Sequence, residues 1–244
     1  MMEPGLPVPE IAEKGGPRDG APQVLDRRLY MQLQAFGGCP DPAPLVAALT
    51  AAPFGAVLYA DAGDPRGVAL LTFATDPTFF VAELRTFLNT PPFAELAHKP
   101  ELTMFGRTYS LGYEPDLADT LIHRPRRAVL NADERWAVWY PLRRKGAFAA
   151  APLSEQREML KEHGTIGMAY GRAGLAHDVR LACFGLDAND NDFVVALTGR
   201  DLHPLSKVVE EMRKTRQTSM FMDRLGPFFV GHAVWQRDGV GGNA

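Results

Sequence analysis

A histidine in the middle of an apolar stripe carries the most distinctive chemistry of this chain. It lies in Leu153-Ser-Glu-Gln-Arg-Glu-Met-Leu-Lys-Glu-His163-Gly-Thr-Ile-Gly-Met-Ala-Tyr170. Read as a helix, Met159, His163, Ile166 and Tyr170 fall at i, i+4, i+7 and i+11 and share one face. Gly164 and Gly167 flank the imidazole. Each glycine costs a helix interior about 1 kcal/mol relative to Ala, and close approach of something flat is one reason to carry it. An inward histidine with small neighbours is how a helix presents an axial ligand to a haem. The same stripe also reads as a hydrogen-bonded core histidine, and the stretch alone leaves both readings open.

Two arginines are candidates for anion chemistry. Arg180 interrupts the apolar strand Val179-Arg-Leu-Ala-Cys-Phe184. It either faces solvent or needs an anionic partner, because a buried unpaired guanidinium is very costly. Arg213 ends the helical stretch Val208–Arg213, where it complements the helix dipole or offers a fork to a carboxylate.

The remaining motifs carry less. His98, His123, His177, His203 and His232 are scattered singly, without HExxH spacing, and read as surface or hydrogen-bonded residues. The acidic run Asp187–Asp192 lacks the glycine and distal Glu of an EF-hand and reads as a hairpin turn. No GxGxxG or Walker loop appears, so nucleotide binding has no sequence support. The two cysteines, Cys39 and Cys183, lack metal spacing and fit a reducing compartment, with one disulfide left open.

The whole chain of 244 residues has a net charge of −3 and no basic tail, which argues against a nucleic-acid partner. Arg124, Arg126 and Arg127 read as a solvated loop. No apolar run approaches the length of a membrane span. Residues 1–25 contain no apolar h-region, so they read as a mobile leader rather than a signal peptide, and a cytoplasmic location is expected.

The elements that would position these side chains come in a repeat. In the first half, Arg28–Phe36 reads as a strand, Pro44–Ala51 as a helix, and Ala56–Ala60 and Gly67–Phe73 as strands. A helix opened by Asp76-Pro77 follows, then a strand over Met104–Leu111. In the second half, Arg135–Leu142 is a strand and Ser154–Tyr170 a helix capped by Ser154. Val179–Gly185 and Phe193–Leu197 are strands, Asp201-Leu-His-Pro204 opens a helix, and Phe228–Trp235 is the last strand. Each half is β-α-β-β-α-β, the ferredoxin-like order. The expected fold is α+β, two such repeats packed face to face or closed into a dimeric α+β barrel with helices outside. The expected division is a leader (1–25), a first repeat (26–112), a connector (113–134) rich in Pro, Asp and Arg, and a second repeat (135–240).

Residues 135–235 resemble the chlorite dismutase and coproheme decarboxylase superfamily. The pieces are Trp139-Tyr-Pro-Leu142, Pro152-Leu-Ser-Glu-Gln-Arg157 leading into Glu162-His-Gly-Thr-Ile-Gly167 and Tyr170, and Phe184-Gly-Leu-Asp187. Val208-Val-Glu-Glu-Met-Arg213 and Gly226-Pro-Phe-Phe-Val-Gly231 follow in the family's order. The first half resembles the family in element order. The resemblance implies haem b, or coproheme, bound in the second repeat. It makes His163 the proximal iron ligand and Arg213 a propionate contact, with Thr218 where the family often has a serine in that role. It also implies a homo-oligomer, commonly a ring of five.

Two departures bear on the reaction. The family's coproheme decarboxylases carry a reactive Tyr in a Trp-Tyr-Met-Leu-Pro run. Here the run is Phe148-Ala-Ala-Ala-Pro152, with Ala149 at the tyrosine position. Chlorite dismutases carry a distal Arg in the strand before Gly-Leu-Asp. Arg180 lies in that strand two residues closer to Gly185, and two is the strand period, so the same face is presented. The expected function is a haem-dependent oxidoreductase acting on peroxide or chlorite, with His163 on iron and Arg180 catalytic on the distal side. The alternatives are a divergent peroxide-dependent coproheme decarboxylase, with Arg143, Arg144 and Arg213 anchoring propionates, and a haem-binding or haem-less scaffold without turnover.

Overall fold

The strands read as alternating apolar runs become a closed barrel. In the computed structural model, which describes residues 8–239, a hairpin of β1 (Glu13–Arg18) and β2 (Ala21–Leu25) comes first. The first repeat is β3 (Tyr30–Gly37), α1 (Ala43–Ala51), β4 (Ala56–Asp61), β5 (Val68–Ala74), α2 (Thr78–Val81), α3 (Glu83–Leu88) and β6 (Ala97–Arg107). A π-helical turn (Asp119–His123) running into α4 (Arg124–Val129) forms the connector. The second repeat is β7 (Trp136–Arg144), α5 (Gly146–Ala150), α6 (Leu153–Arg172), β8 (His177–Ala182), β9 (Phe193–Gly199), α7 (Leu202–Met212), α8 (Arg216–Phe221), β10 (Met222–Leu225) and β11 (Phe229–Arg237).

The sheet order is β10-β7-β11-β4-β5-β3-β6-β8-β9, and β7 also pairs with β9. Strand β7 gives one edge to β9 and the other to β11 and then β10, which closes the ring. Of the two arrangements the sequence left open, the barrel is the one formed. The two joints differ. β4 and β11 share a ladder from Asp61↔Gly231 to Ala56↔Arg237, whereas β6 and β8 register only at Arg107↔Ala182. A Cβ on Gly106 would lie 2.8 Å from Leu181 Cβ, so glycine permits the approach at the weaker joint.

Side-chain alternation explains the layers. Met31, Leu33 and Ala35 of β3, Ala69 and Leu71 of β5, Trp139 of β7 and Val194 and Ala196 of β9 fill the barrel. Leu117, Leu121, Ile122 and Val129 of the connector join that core. Strand β5 is buried on both faces, since Val68 and Leu70 pack under the outer helices, and its sequence is accordingly a continuous apolar run.

The outer faces of the two repeats are filled differently. Over the first, Phe36, Phe54, Phe79, Phe80, Phe87, Phe93 and Phe105 pack ring against ring, with centroids 5.0 Å apart for Phe80–Phe105 and 5.1 Å for Phe54–Phe87. Over the second, Val138, Tyr140 and Leu197 of the sheet pack with Leu205 and Val208 of α7, and Ile166 and Tyr170 of α6 lie against them. A solid aromatic layer leaves no room for a flat ligand in the first repeat, and the second repeat is the one with His163.

Three expectations are corrected. Residues 13–25 of the supposed mobile leader form the β1–β2 hairpin, while residues 1–7 lie outside the described residues. Polar contacts order it: Gly16 N donates to Glu114 O at 2.9 Å, Gln23 bonds Glu114 O and Leu117 N, and Glu13 takes Arg107 and Ser110. Apolar content, the basis of the expectation, does not register such bonds. The helix after Asp76 breaks at Ala82 (φ −112, ψ −86) into α2 and α3. The histidine helix starts at Leu153 after Pro152, without a side-chain cap, so Ser154 is inside it.

Candidate functional site

The second repeat presents its chemistry on the outer face of its sheet. On β8, Val179 and Leu181 point into the barrel, so Asp178 and Arg180 point outward toward the helices. Register places Arg180 opposite Val195 of β9, and Val195 opposite Tyr140 of β7. One row across the sheet therefore reads Arg180, Val195, Tyr140. The next row toward α5 reads Ala182, Phe193, Leu142.

Helix α6 roofs this floor. Its inward residues are those the sequence put on one stripe: Met159 is buried and His163, Ile166 and Tyr170 are half-buried. At Gly167 a Cβ would make only an ordinary contact with α7, 3.4 Å from Met212 Cε. A Cβ on Gly164 would meet nothing within 4 Å, so that glycine borders open space beside the imidazole. The start of α8 is fastened to α6 by Glu155–Arg216 at 2.8 Å and by Arg216 N donating to Glu162 Oε2 at 3.1 Å. That clamp brings Thr215 to His163.

His163 Nδ1 lies 3.4 Å from Thr215 Oγ1. The Thr215 hydroxyl donates to Met212 O at 2.8 Å, which leaves its lone pairs to accept from Nδ1–H. With Thr215 Oγ1 as the acceptor the proton sits on Nδ1, the tautomer that leaves the Nε2 lone pair free. Burial, and next the positive charge of Arg180, push the imidazole pKa below its ordinary 6.5. The ring is thus a neutral nitrogen donor at physiological pH. Among the described residues no three His, Cys, Asp or Glu side chains converge to hold a bare metal ion. One neutral imidazole beside an open strip of helix is instead the donor set of a macrocycle-bound metal, for which the protein supplies a single axial nitrogen.

The pKa direction has a testable consequence. Protons compete with a metal for Nε2 only below the lowered imidazole pKa. Acidification from pH 7 through 6.5 should therefore leave a His163-ligated absorption band in place, and loss should begin only below the ordinary imidazole range. A band lost with a midpoint at or above pH 6.5 would contradict this.

The other predicted residues are placed as follows. Arg180 lies on the floor with its side chain 43% exposed, and its Nε pairs with Asp178 Oδ2 at 2.8 Å. The anionic partner an inward arginine requires is thus its neighbour two residues back. Arg213 is exposed at the C-cap of α7 and makes no ion pair among the described residues. The hydroxyl of Thr218 lies 3.3 Å from that of Thr215, one step from the histidine. Arg144 is half-buried, its guanidinium 4.4 Å from the Phe148 ring centroid and 4.6 Å from that of Phe193. Burial lowers its pKa. Arg143 instead pairs with Asp190 and Asp223 away from the row. Ala149 is an exposed residue of α5.

Sequence reasoning missed Asp178, Thr215 and Tyr109. Asp178 was legible, since two residues is the strand period. Thr215 carried a weaker signal as the cap of a short helix. Tyr109, which packs on Phe193 at 5.4 Å, comes from the first repeat across the weak joint, and no local pattern announces it.

Residues 78–234, more than half of the chain, match the family model for chlorite dismutase. The chain belongs to the chlorite dismutase family. The match begins in the first repeat, well ahead of the motifs at residues 135–235. Among solved structures, a haem-binding protein from Thermus thermophilus superposes with a TM-score of 0.66 at 20% identity, over 93% of this chain and 94% of that one. Chlorite dismutase from Candidatus Nitrospira defluvii in complex with imidazole superposes with a TM-score of 0.64 at 15% identity, over 85% and 92%. At these identities the likeness is one of fold. No curated protein matches the sequence. Among the described residues no helix is long and apolar enough to cross a membrane.

Proposed function

We propose that this chlorite dismutase family member binds haem in the cleft between α6 and the second-repeat sheet, and that it is an oxidoreductase acting there on peroxide or chlorite. The observation carrying the proposal is His163, a half-buried, neutral imidazole with a free Nε2, set over the sheet row that contains Arg180. The haem-binding relative from Thermus thermophilus supports the cofactor. When bound, the iron supplies the redox centre for cleaving an O–O or Cl–O bond.

The chain's own residues divide the remaining work. His163 would hold the iron through Nε2, with Thr215 as the partner of its Nδ1 proton. Arg180 would supply a fixed cation to stabilise negative charge developing on the oxidant. Arg144 and Arg213, at the α5 and α8 end, offer guanidinium forks to the acidic edge of the cofactor.

Those two arginines also favour a second reading, in which the four-carboxylate coproheme is substrate. Against it stands the missing tyrosine at Ala149. Titration of haemin into the purified protein, followed at the Soret band, tests the cofactor. Assays with peroxide and chlorite then test turnover, and mass spectrometry of coproheme after peroxide addition tests the second reading. No Soret shift in the titration returns the chain to a haem-less scaffold.

Thr215 gives a smaller prediction. In Thr215→Val the Nδ1 proton loses its acceptor, and partners of this kind are typically worth about 10- to 100-fold in metal affinity. Haemin affinity should fall by about tenfold with the fold intact, and Thr215→Ser should restore it. Equal affinity in wild type and Thr215→Val would remove the residue from the account.

A further inference from the structure

Asp178 pairs with two cations. Its Oδ2 lies 2.8 Å from Arg180 Nε in an ion pair, and its Oδ1 accepts from Arg124 Nη2 at 2.7 Å. Arg124 comes from α4 of the connector, so the carboxylate is also held from outside the strand. Beyond Asp178, Arg180 forms no ion pair among the described residues. The other charged or titratable groups facing Arg180 are the His163 imidazole, whose pKa its charge lowers, the phenols of Tyr109 and Tyr113 and the Glu114 carboxyl. Glu114 already accepts the backbone N–H groups of Leu111, Gly112 and Tyr113.

We propose that Asp178 is a positioning residue that holds Arg180 in an ion pair and partly offsets its charge, so that the distal face attracts an anionic oxidant less than a lone arginine would. This rests on the haem reading above. Hydrogen peroxide is neutral at physiological pH, and chlorite is an anion. A free arginine opposite the iron would attract both by hydrogen bonding and the anion also by charge. An arginine paired with a carboxylate keeps its donors and loses part of the long-range pull, while the Arg124–Asp178–Arg180 cluster retains one net positive charge. The proposal therefore reduces the advantage of an anionic oxidant over a hydroperoxide and explains why two residues of opposite charge share one face of β8.

The test compares ferric, haem-loaded wild type with Asp178→Asn, Arg180→Ala and the double variant. Sodium fluoride is the anionic probe and imidazole the neutral one, both followed by the visible spectrum at fixed pH and low salt. Asp178→Asn keeps the size and one side-chain oxygen of the residue and removes the charge. It should bind fluoride about tenfold more tightly than wild type, with imidazole affinity unchanged within about twofold. In the double variant the fluoride gain over Arg180→Ala alone should vanish, because it acts through the arginine. A parallel change for fluoride and imidazole, no fluoride gain, or a gain that survives without Arg180 would overturn the proposal while leaving haem binding intact. A wild-type protein with no haem spectrum would overturn both this proposal and the reading it rests on.

Discussion

A His163→Ala variant should keep its fold and bind haemin about a hundredfold or more weakly than wild type, a loss larger than that typical of a second partner. The fold survives because the imidazole contributes little to it. Its one polar contact is a 3.4 Å approach to Thr215, and alanine is the best helix former. The helix is retained by Met159, Ile166 and Tyr170 on the same face and by the Glu155 and Glu162 contacts to Arg216. Circular dichroism and thermal melting of the apoprotein should therefore overlay those of wild type. The Soret band distinguishes a ligand from a core histidine. If His163 holds the iron, removing it takes away the single protein donor, and the band on haemin addition stays that of loosely bound haem. Added imidazole should then restore part of the wild-type spectrum by entering the space the side chain leaves. Equal affinities and spectra in the two proteins would make His163 a packing residue and end the haem reading at this position.

The architecture was legible because both halves repeat the same alternation of periods. Strands such as Val68–Ala74, between two apolar layers, and the 3.6-residue stripe Met159, His163, Ile166, Tyr170 announce burial directly. Barrel closure was undecided because it depends on pairings between residues far apart, such as Ala56 with Arg237, and no short window encodes them. The β1–β2 hairpin was missed for a different reason. Its order comes from backbone carbonyls and from Gln23 reaching the 114–117 segment, and these leave no apolar signal. The site divides in the same way. His163 and Arg180 stood out as polar residues in apolar surroundings. Thr215 reaches the histidine only through the α6–α8 clamp, and Tyr109 reaches the cleft only across the barrel joint. The outer faces of the two repeats also differ: seven phenylalanines fill the first, whereas in the second a Cβ on Gly164 would meet nothing within 4 Å.

Arg180→Ala should lower kcat/KM for peroxide by about 10²–10³-fold, the usual consequence of removing one preorganised donor from a developing charge, while haemin affinity changes by less than about twofold. The separation follows from the geometry. The guanidinium stands on the floor of the cleft, in the row with Val195 and Tyr140, and the donor to the metal is on the roof. Its side chain is 43% exposed and its pair with Asp178 lies at the surface of the cleft, so removal costs little stability. The loss should appear in kcat more than in KM, because a neutral oxidant gains little from the cation before its bond begins to break and much once charge accumulates. Arg180→Lys should recover only part of the rate. An ammonium is a point charge without the planar fork. A turnover number in Arg180→Ala equal to that of wild type, with the haem spectrum intact, would place the catalytic donor elsewhere. Tyr109 would then be the next residue to replace, because it reaches the same cleft from the first repeat and its phenol, raised in pKa by burial, remains a proton donor.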